Sequence, residues 1–391
     1  MWRALLQLPR SVWLLGLISL VNDSASELAY PLVPLYLSSV LMAGPRVLGL
    51  IEGVAEALSS LLKLWAGVMV DRSGRSKPWV VAGYGLAGLA RPLIAVVAGW
   101  PLLLALRLAD RIAKAVRAAP RDALLAANIG AGQRGLAFGL HRAMDNAGAV
   151  IGPLLAWALL SAGVPLGQVF LWAVIPGLLC VALTLAVQEA PPPAATPPRF
   201  SWTLTGLPPA LRRYLVVVAL FTLGNSSNMF LLLRARELGV AQAQVPLLWA
   251  AVSGVAALFA VPLGGLSDRI GRVRLLVAGY VAYACFYIGM GWFAAPGWGL
   301  YALFGLYGVF MAATEGVERA MLADLTPPEQ RGTAFGWLNL VLGAMLLPAS
   351  LLFGWLWEGV SATVAFGFSA ACALAAAALL TAWVRPAMTM R

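Results

Sequence analysis

Charge is scarce in this chain. Only 11% of its 391 residues are Asp, Glu, Lys or Arg, where soluble domains carry about 25%. A soluble globule needs a charged surface to stay dispersed, so an ordinary cytosolic enzyme and a disordered protein are both excluded. Cysteine occurs three times and histidine once. Cys180, Cys285 and Cys372 lie in apolar runs without paired spacing, which excludes a disulfide framework or a zinc site. His141, with Asp145 one turn on, has too few neighbouring ligands for a metal, so a packing or hydrogen-bonding role is expected. No G-x-x-x-x-G-K-[ST] stretch is present, which excludes a self-contained ATP-driven pump. The absence of H-E-x-x-H and G-x-S-x-G, and of any soluble catalytic domain, argues against a membrane-embedded enzyme. No cofactor motif occurs.

What is present is apolar: 61% of residues are hydrophobic and the mean hydropathy is +0.85. At about 20 residues per helical span, the chain accommodates about a dozen. Run length, with richness in Ala, Leu and Gly, favours helices over a β-barrel. Twelve runs are read as spans: 11–40, 46–70, 79–99, 101–125, 135–161, 165–188, 211–235, 246–267, 275–295, 299–325, 333–357 and 361–384. Short connections make neighbours antiparallel. The fold class expected is an all-α membrane protein of twelve transmembrane helices in two six-helix pseudo-repeats.

The formal net charge of +11 would suggest nucleic acid in a soluble protein, but its distribution points to a bilayer instead. With residues at span ends counted with the adjoining loops, fifteen of the 27 Lys and Arg fall in one alternating set of loops and the termini, three in the other set, and nine in the spans. By the positive-inside rule the first set is cytoplasmic. Both termini are then cytoplasmic in a plasma (inner) membrane protein, read as a monomer. No cleavable signal is read at the start.

Residues 1–188 and 210–391 form two lobes joined by a Pro-rich cytoplasmic linker, 189–209. An internal repeat supports the division. G-V-M-V-D-R-S-G-R at 67–75 matches G-G-L-S-D-R-I-G-R at 264–272, an offset of 197. The same offset carries Q-R-G-L-A-F-G at 133–139 onto Q-R-G-T-A-F-G at 330–336. Gly67, Gly74, Gly264 and Gly271 are expected to permit close helix approach and a sharp turn. Asp71 and Asp268 would meet basic groups or helix ends, with Arg72, Arg75, Arg269 and Arg272 in the basic interface.

This duplicated G-x-x-x-D-R-x-G-R loop resembles the signature of the major facilitator superfamily, and the likeness extends over essentially the whole chain. It implies a two-lobe transporter with a central cavity lined by spans 1, 4, 7 and 10. It also implies that Asp71 and its Arg partners latch the outward-open state. In span 5, Gly148-x-x-x-Gly152-Pro153 resembles that family's antiporter motif without its trailing glycine pair. A small-residue packing face with a proline kink is the other reading.

Span 4 carries Arg107, Asp110, Arg111, Lys114, Arg117 and Arg121 on one helical face. Such charges must face water or partner charges rather than lipid. Arg107 resembles the superfamily's Arg of this helix, near the coupling site of proton-driven members. Span 1 carries Asn22, Asp23, Ser26, Glu27 and Tyr30, span 7 Asn225 and Asn228, and span 10 Tyr307, Met311, Glu315 and Glu318. The repeat offset maps Arg121 onto Glu318, one reading of which is a closing cytoplasmic salt bridge. Glu52, Glu56 and Lys63 share a face of span 2 without counterparts in the second half, which favours proton handling in the first lobe. Arg107 and Arg111 are expected to pair with Asp23 or Glu27.

These features point to a proton-coupled antiporter that exports small organic molecules. Uptake of an organic anion, divalent-cation transport and lipid flipping on the same fold are the alternatives.

Overall fold

The computed structural model describes residues 8–73, 76–127, 134–188, 206–327 and 330–384. Every regular element among them is helical. Nine helices are long and apolar enough to cross a membrane. The remaining three runs are also helical: Arg10–Ala29 with Leu32–Ser39, Pro45–Ser73 and Trp100–Ala127. They fall short on apolarity because spans 1, 2 and 4 concentrate the intramembrane charges. Of the linker, residues 189–205 lie outside the described residues.

Two spans are broken where one continuous helix was expected. Span 1 stops at Ala29 and resumes at Leu32, because Pro31 has no N–H to continue the ladder. Span 7 runs Pro209–Gly224, unwinds over 225–228 and resumes as Met229–Glu237. Its Asn-Ser-Ser-Asn stretch supplies side chains that compete with helical backbone bonds.

The chain forms two compact units. The first comprises residues 1–42, 58–197 and 242–250; the second comprises 43–57, 198–241 and 251–391. Each therefore includes the start of one helix from the other half of the sequence.

In the first unit, span 1 packs on span 5, span 3 on span 4, and span 3 on span 6. Glycine sets the first of these approaches. A Cβ on Gly148 would lie 2.6 Å from the Leu20 carbonyl oxygen, and one on Gly152 would lie 2.5 Å from that of Ser24. The neighbours are backbone and cannot yield. In the second unit, span 9 packs on spans 10 and 12, and span 7 on spans 11 and 12. The start of span 2 lies on span 11, where a Cβ on Gly49 would meet the Ser350 carbonyl oxygen at 2.3 Å. Gly264 differs from the sequence expectation: among the described residues, nothing lies within 4 Å of its Cβ position.

A paired prediction follows. Gly152→Ala is expected to destabilise by about 1–3 kcal/mol through overpacking. Gly264→Ala is expected to be neutral or to stabilise by up to about 1 kcal/mol, because Ala is the better helix former. Thermal unfolding in detergent checks both; equal behaviour would contradict the packing account.

Candidate functional site

In the first unit, the charged face of span 4 meets spans 1 and 3. Arg107, Asp110, Arg111 and Arg117 are each only 4% exposed, whereas Lys114 is open. Asp110 is the shared acceptor. The Arg91 Nε donates to its Oδ1 at 2.9 Å, and Arg107 lies 3.8 Å from its Oδ2. Arg91 also donates from Nη1 to the Asn22 carbonyl at 3.2 Å and to Asn22 Oδ1 at 3.1 Å. One guanidinium from span 3 thus ties span 1 to span 4. Arg117 lies over the Tyr84 ring, 4.9 Å from its centroid. Arg121 pairs with Asp122 at 3.0 Å and donates to Ser19 Oγ at 3.4 Å.

On span 1, Asp23 accepts from the Asn22 amide at 2.8 Å. Glu27 accepts from the Trp249 indole N–H at 2.8 Å, and the Tyr30 and Trp249 rings lie 5.1 Å apart. Ser26 is half-buried on the same stripe. Span 5 adds Asp145, which takes the Ser19 hydroxyl and lies 3.7 Å from His141 Nδ1 and 3.9 Å from Arg142. The His141 Nε2 is buried and makes no hydrogen bond among the described residues. Gly148 belongs to this contact: its absent Cβ would lie 3.0 Å from Asp23 Cβ. Pro153 is buried within the same helix.

The second unit is built around the break in span 7. The Tyr283 hydroxyl donates to the freed Gly224 carbonyl at 2.9 Å, and that of Tyr307 donates to Asn228 Oδ1 at 2.5 Å. Ser227 Oγ accepts from the Met229 N–H at 3.3 Å, and its hydroxyl donates to Glu52 at 3.4 Å. Side chains therefore satisfy the backbone where the helix opens, as a membrane interior requires. Glu52 is 1% exposed and lies in the second compact unit. Sequence reasoning placed Glu52 in the first lobe; the start of span 2 groups instead with the second compact unit. Asn225 and Met311 are half-buried and Glu315 is exposed. Stacked rings back the break, with Phe221 over Tyr280 at 4.0 Å and Tyr283 over Tyr287 at 4.1 Å.

Glu318 has partners within the second unit. Its carboxylate accepts from the Tyr280 hydroxyl at 3.0 Å and its carbonyl from that of Tyr214 at 3.1 Å. Arg121 and Glu318 each take partners from their own unit. The second copy of the D-R-x-G-R loop is well formed. Arg272 lies 2.6 Å from Asp268 and 3.1 Å from Asp324. Gly271 has φ +96°, a conformation that favours glycine. Arg269 is exposed. In the first copy, Gly74 and Arg75 lie outside the described residues, as do the side chains of Asp71 and Arg72 and the surroundings of Gly67.

Comparison with known proteins agrees with this architecture. The family model for the Major Facilitator Superfamily matches residues 15–233 and 214–389. The chain belongs to the major facilitator superfamily. It is a multi-pass membrane transporter of that type, whose family and fold are not those of enzymes. An MFS-type transporter of Methanocaldococcus jannaschii is 32% identical over 381 residues, covering 96% of this chain and 95% of that one. The multidrug resistance protein MdtG of Enterobacter lignolyticus is 27% identical, covering 76% and 72%. The crystal structure of the nucleoside transporter NupG (D323A mutant) superposes with a TM-score of 0.81 at 14% identity, covering 96% of this chain and all of that one. At that identity the likeness shows the fold alone.

Within this transporter, the structure joins Asn22 to Asp110 through Arg91, and Asn228 to Tyr307. Sequence reasoning did not name Arg91, Asp145 or Trp249 as site residues. Arg91 had a signal: a lone cation deep in an apolar run requires a partner. Trp249 had none, because its indole reaches Glu27 only through tertiary packing.

Proposed function

We propose that this transporter is a proton-driven antiporter that exports small organic molecules by alternating access. It acts as a monomer in the plasma (inner) membrane of a bacterium, with both termini cytoplasmic. The observation that carries the reading is the seating of Asp23. Asp23 lies mid-span on span 1, its Cβ beside Gly148 of the Gly148-x-x-x-Gly152-Pro153 motif of span 5, and its carboxylate in electrostatic reach of Lys114 and Arg117 on span 4. Taking up a proton removes a charge whose burial is costly, and so biases the conformational equilibrium. The multidrug resistance relatives support the export direction.

The test uses proteoliposomes loaded with a pH-sensitive dye, with an imposed pH gradient and a panel of organic compounds. Antiport moves protons opposite to substrate. Movement in the same direction, or uptake indifferent to the gradient, would overturn the reading.

The first-lobe signature loop serves as a cytoplasmic latch. Asp71→Asn is expected to slow transport about tenfold at normal expression, and Asp268→Asn less, because the first copy carries the fuller motif, with Lys77 and Pro78 following. Unchanged transport by Asp71→Asn would remove this role.

A further inference from the structure

We propose that Trp249 is a gating residue: its indole, bonded to Glu27 at the break in span 1, clasps the two sequence halves together on the membrane side opposite the N-terminus. Glu52 and Ser227 form the matching clasp at the break in span 7. This rests on the alternating-access reading above and names the contacts that part in its cycle.

The two breaks are one feature, duplicated. Span 1 resumes at Leu32 and span 7 at Met229, the same offset of 197 that relates the signature loops. Each break is met by the start of a helix from the other half of the sequence. Trp249, near the start of Val245–Ile270, donates to Glu27 at 2.8 Å, and its ring lies 5.1 Å from that of Tyr30. Glu52, near the start of Pro45–Ser73, accepts from the Ser227 hydroxyl at 3.4 Å. The offset carries Glu52 onto Trp249 and Tyr30 onto Ser227. The contact of Trp249 with Tyr30 in the first unit and that of Glu52 with Ser227 in the second therefore join equivalent positions of the repeat. Their surroundings repeat as well. Gln242–Gln244, leading into span 8, packs on span 5. The start of span 2 lies on span 11, where the Arg46 N–H donates to Glu358 at 3.1 Å.

Spans 2 and 8 are each a single helix whose first turns lie in one unit and whose remainder lies in the other. A movement that separates the halves on that side must release those first turns. The clasps suit release, because a side-chain hydrogen bond is exchanged for one to water when the side opens. The breaks supply the give: a helix bends where its backbone ladder is interrupted. The chemistry of the two clasps is not symmetric. The glutamate lies on the broken span in the first and on the incoming helix in the second. The first has the shorter bond and the ring pair, so Trp249 is the stronger clasp.

The experiment needs neither substrate nor gradient. The full chain, with its three cysteines replaced by alanine and Ser226→Cys added as a reporter, is reconstituted in vesicles. Ser226 is 3% exposed and adjoins Ser227 at the second break. A membrane-impermeant sulfonated maleimide is applied from the side opposite the N-terminus, and separately from the other side. Trp249→Phe keeps a ring but loses the N–H, and is expected to speed labelling from the first side about tenfold. Because the reporter lies at the other break, that rise shows the two clasps parting together. Glu27→Gln, a weaker acceptor, should give a smaller rise. Trp172→Phe, which removes an indole elsewhere, should leave the rate unchanged. An unchanged rate in Trp249→Phe overturns the proposal. So does equal acceleration from both sides, the mark of general loosening. Should Trp249→Phe fail to fold, Glu27→Gln decides in its place. Faster labelling in a protein that moves protons and substrate in the same direction keeps the clasp and loses antiport. An unchanged rate in one that exchanges them does the reverse.

Discussion

Replacing Asp110 with Asn is expected to lower the stability of this transporter by about 3–5 kcal/mol, the range found when one partner of a buried ion pair is removed. Asp110 accepts from Arg91 at 2.9 Å and faces Arg107 at 3.8 Å, and all three are 4% exposed. Losing the carboxylate removes the anion that both Arg91 and Arg107 face. Arg91→Met strands less, because Asp110 keeps Arg107, so a smaller loss is expected. It also removes the hydrogen bonds to Asn22 that tie span 1 to span 3. The double variant Arg91→Met with Asp110→Leu should recover part of the Asp110→Asn loss and leave a deficit from Arg107. Denaturation in mixed micelles measures the cycle. Additivity within about 0.5 kcal/mol would show that the groups are not coupled.

The second large effect concerns Asp23. Asp23→Asn is expected to abolish uphill, gradient-driven transport, while substrate binding and downhill exchange persist. The neutral amide mimics the protonated acid and cannot release a proton, so the cycle loses its driving step. Asp23 suits this role because its partner is the neutral Asn22 amide at 2.8 Å, in electrostatic reach of Lys114, Arg117 and Arg121 on one side and of Asp145 on the other. Small changes in hydration or in the distance of those groups can favour either protonation state. A structural carboxylate would behave differently: the variant would lose stability and binding together. Accumulation against a gradient by Asp23→Asn would move the proton site to another acid. Glu27 is the next to test, with its Trp249 bond as the feature to follow.

Both predictions concern groups that sequence reasoning reached unevenly. Span 4 announced its charged face through spacing alone, because six charged residues on one helical stripe cannot all face lipid. Their partners were not visible. Spacing places residues on a face of one helix but carries no information on which neighbouring helix that face meets. Asp110 therefore read as one more cavity charge, and only packing showed that Arg91 claims it. Glu52 illustrates the same limit: its pattern with Glu56 and Lys63 was correct as a helix face, yet the start of that helix belongs to the other compact unit.

By itself, the sequence determined that this protein crosses a membrane many times as helices and is built from a duplicated half. Apolar run length, scarcity of charge and a repeat at one offset are local or linear properties, and the bilayer converts them directly into structure. Tertiary structure alone decided that Gly148 and Gly152 seat span 5 against span 1, and that Trp249 reaches Glu27. Each depends on backbone and side-chain approaches of a few ångströms between segments distant in the chain. Such distances are set by the packing of whole helices rather than by any one helix's sequence.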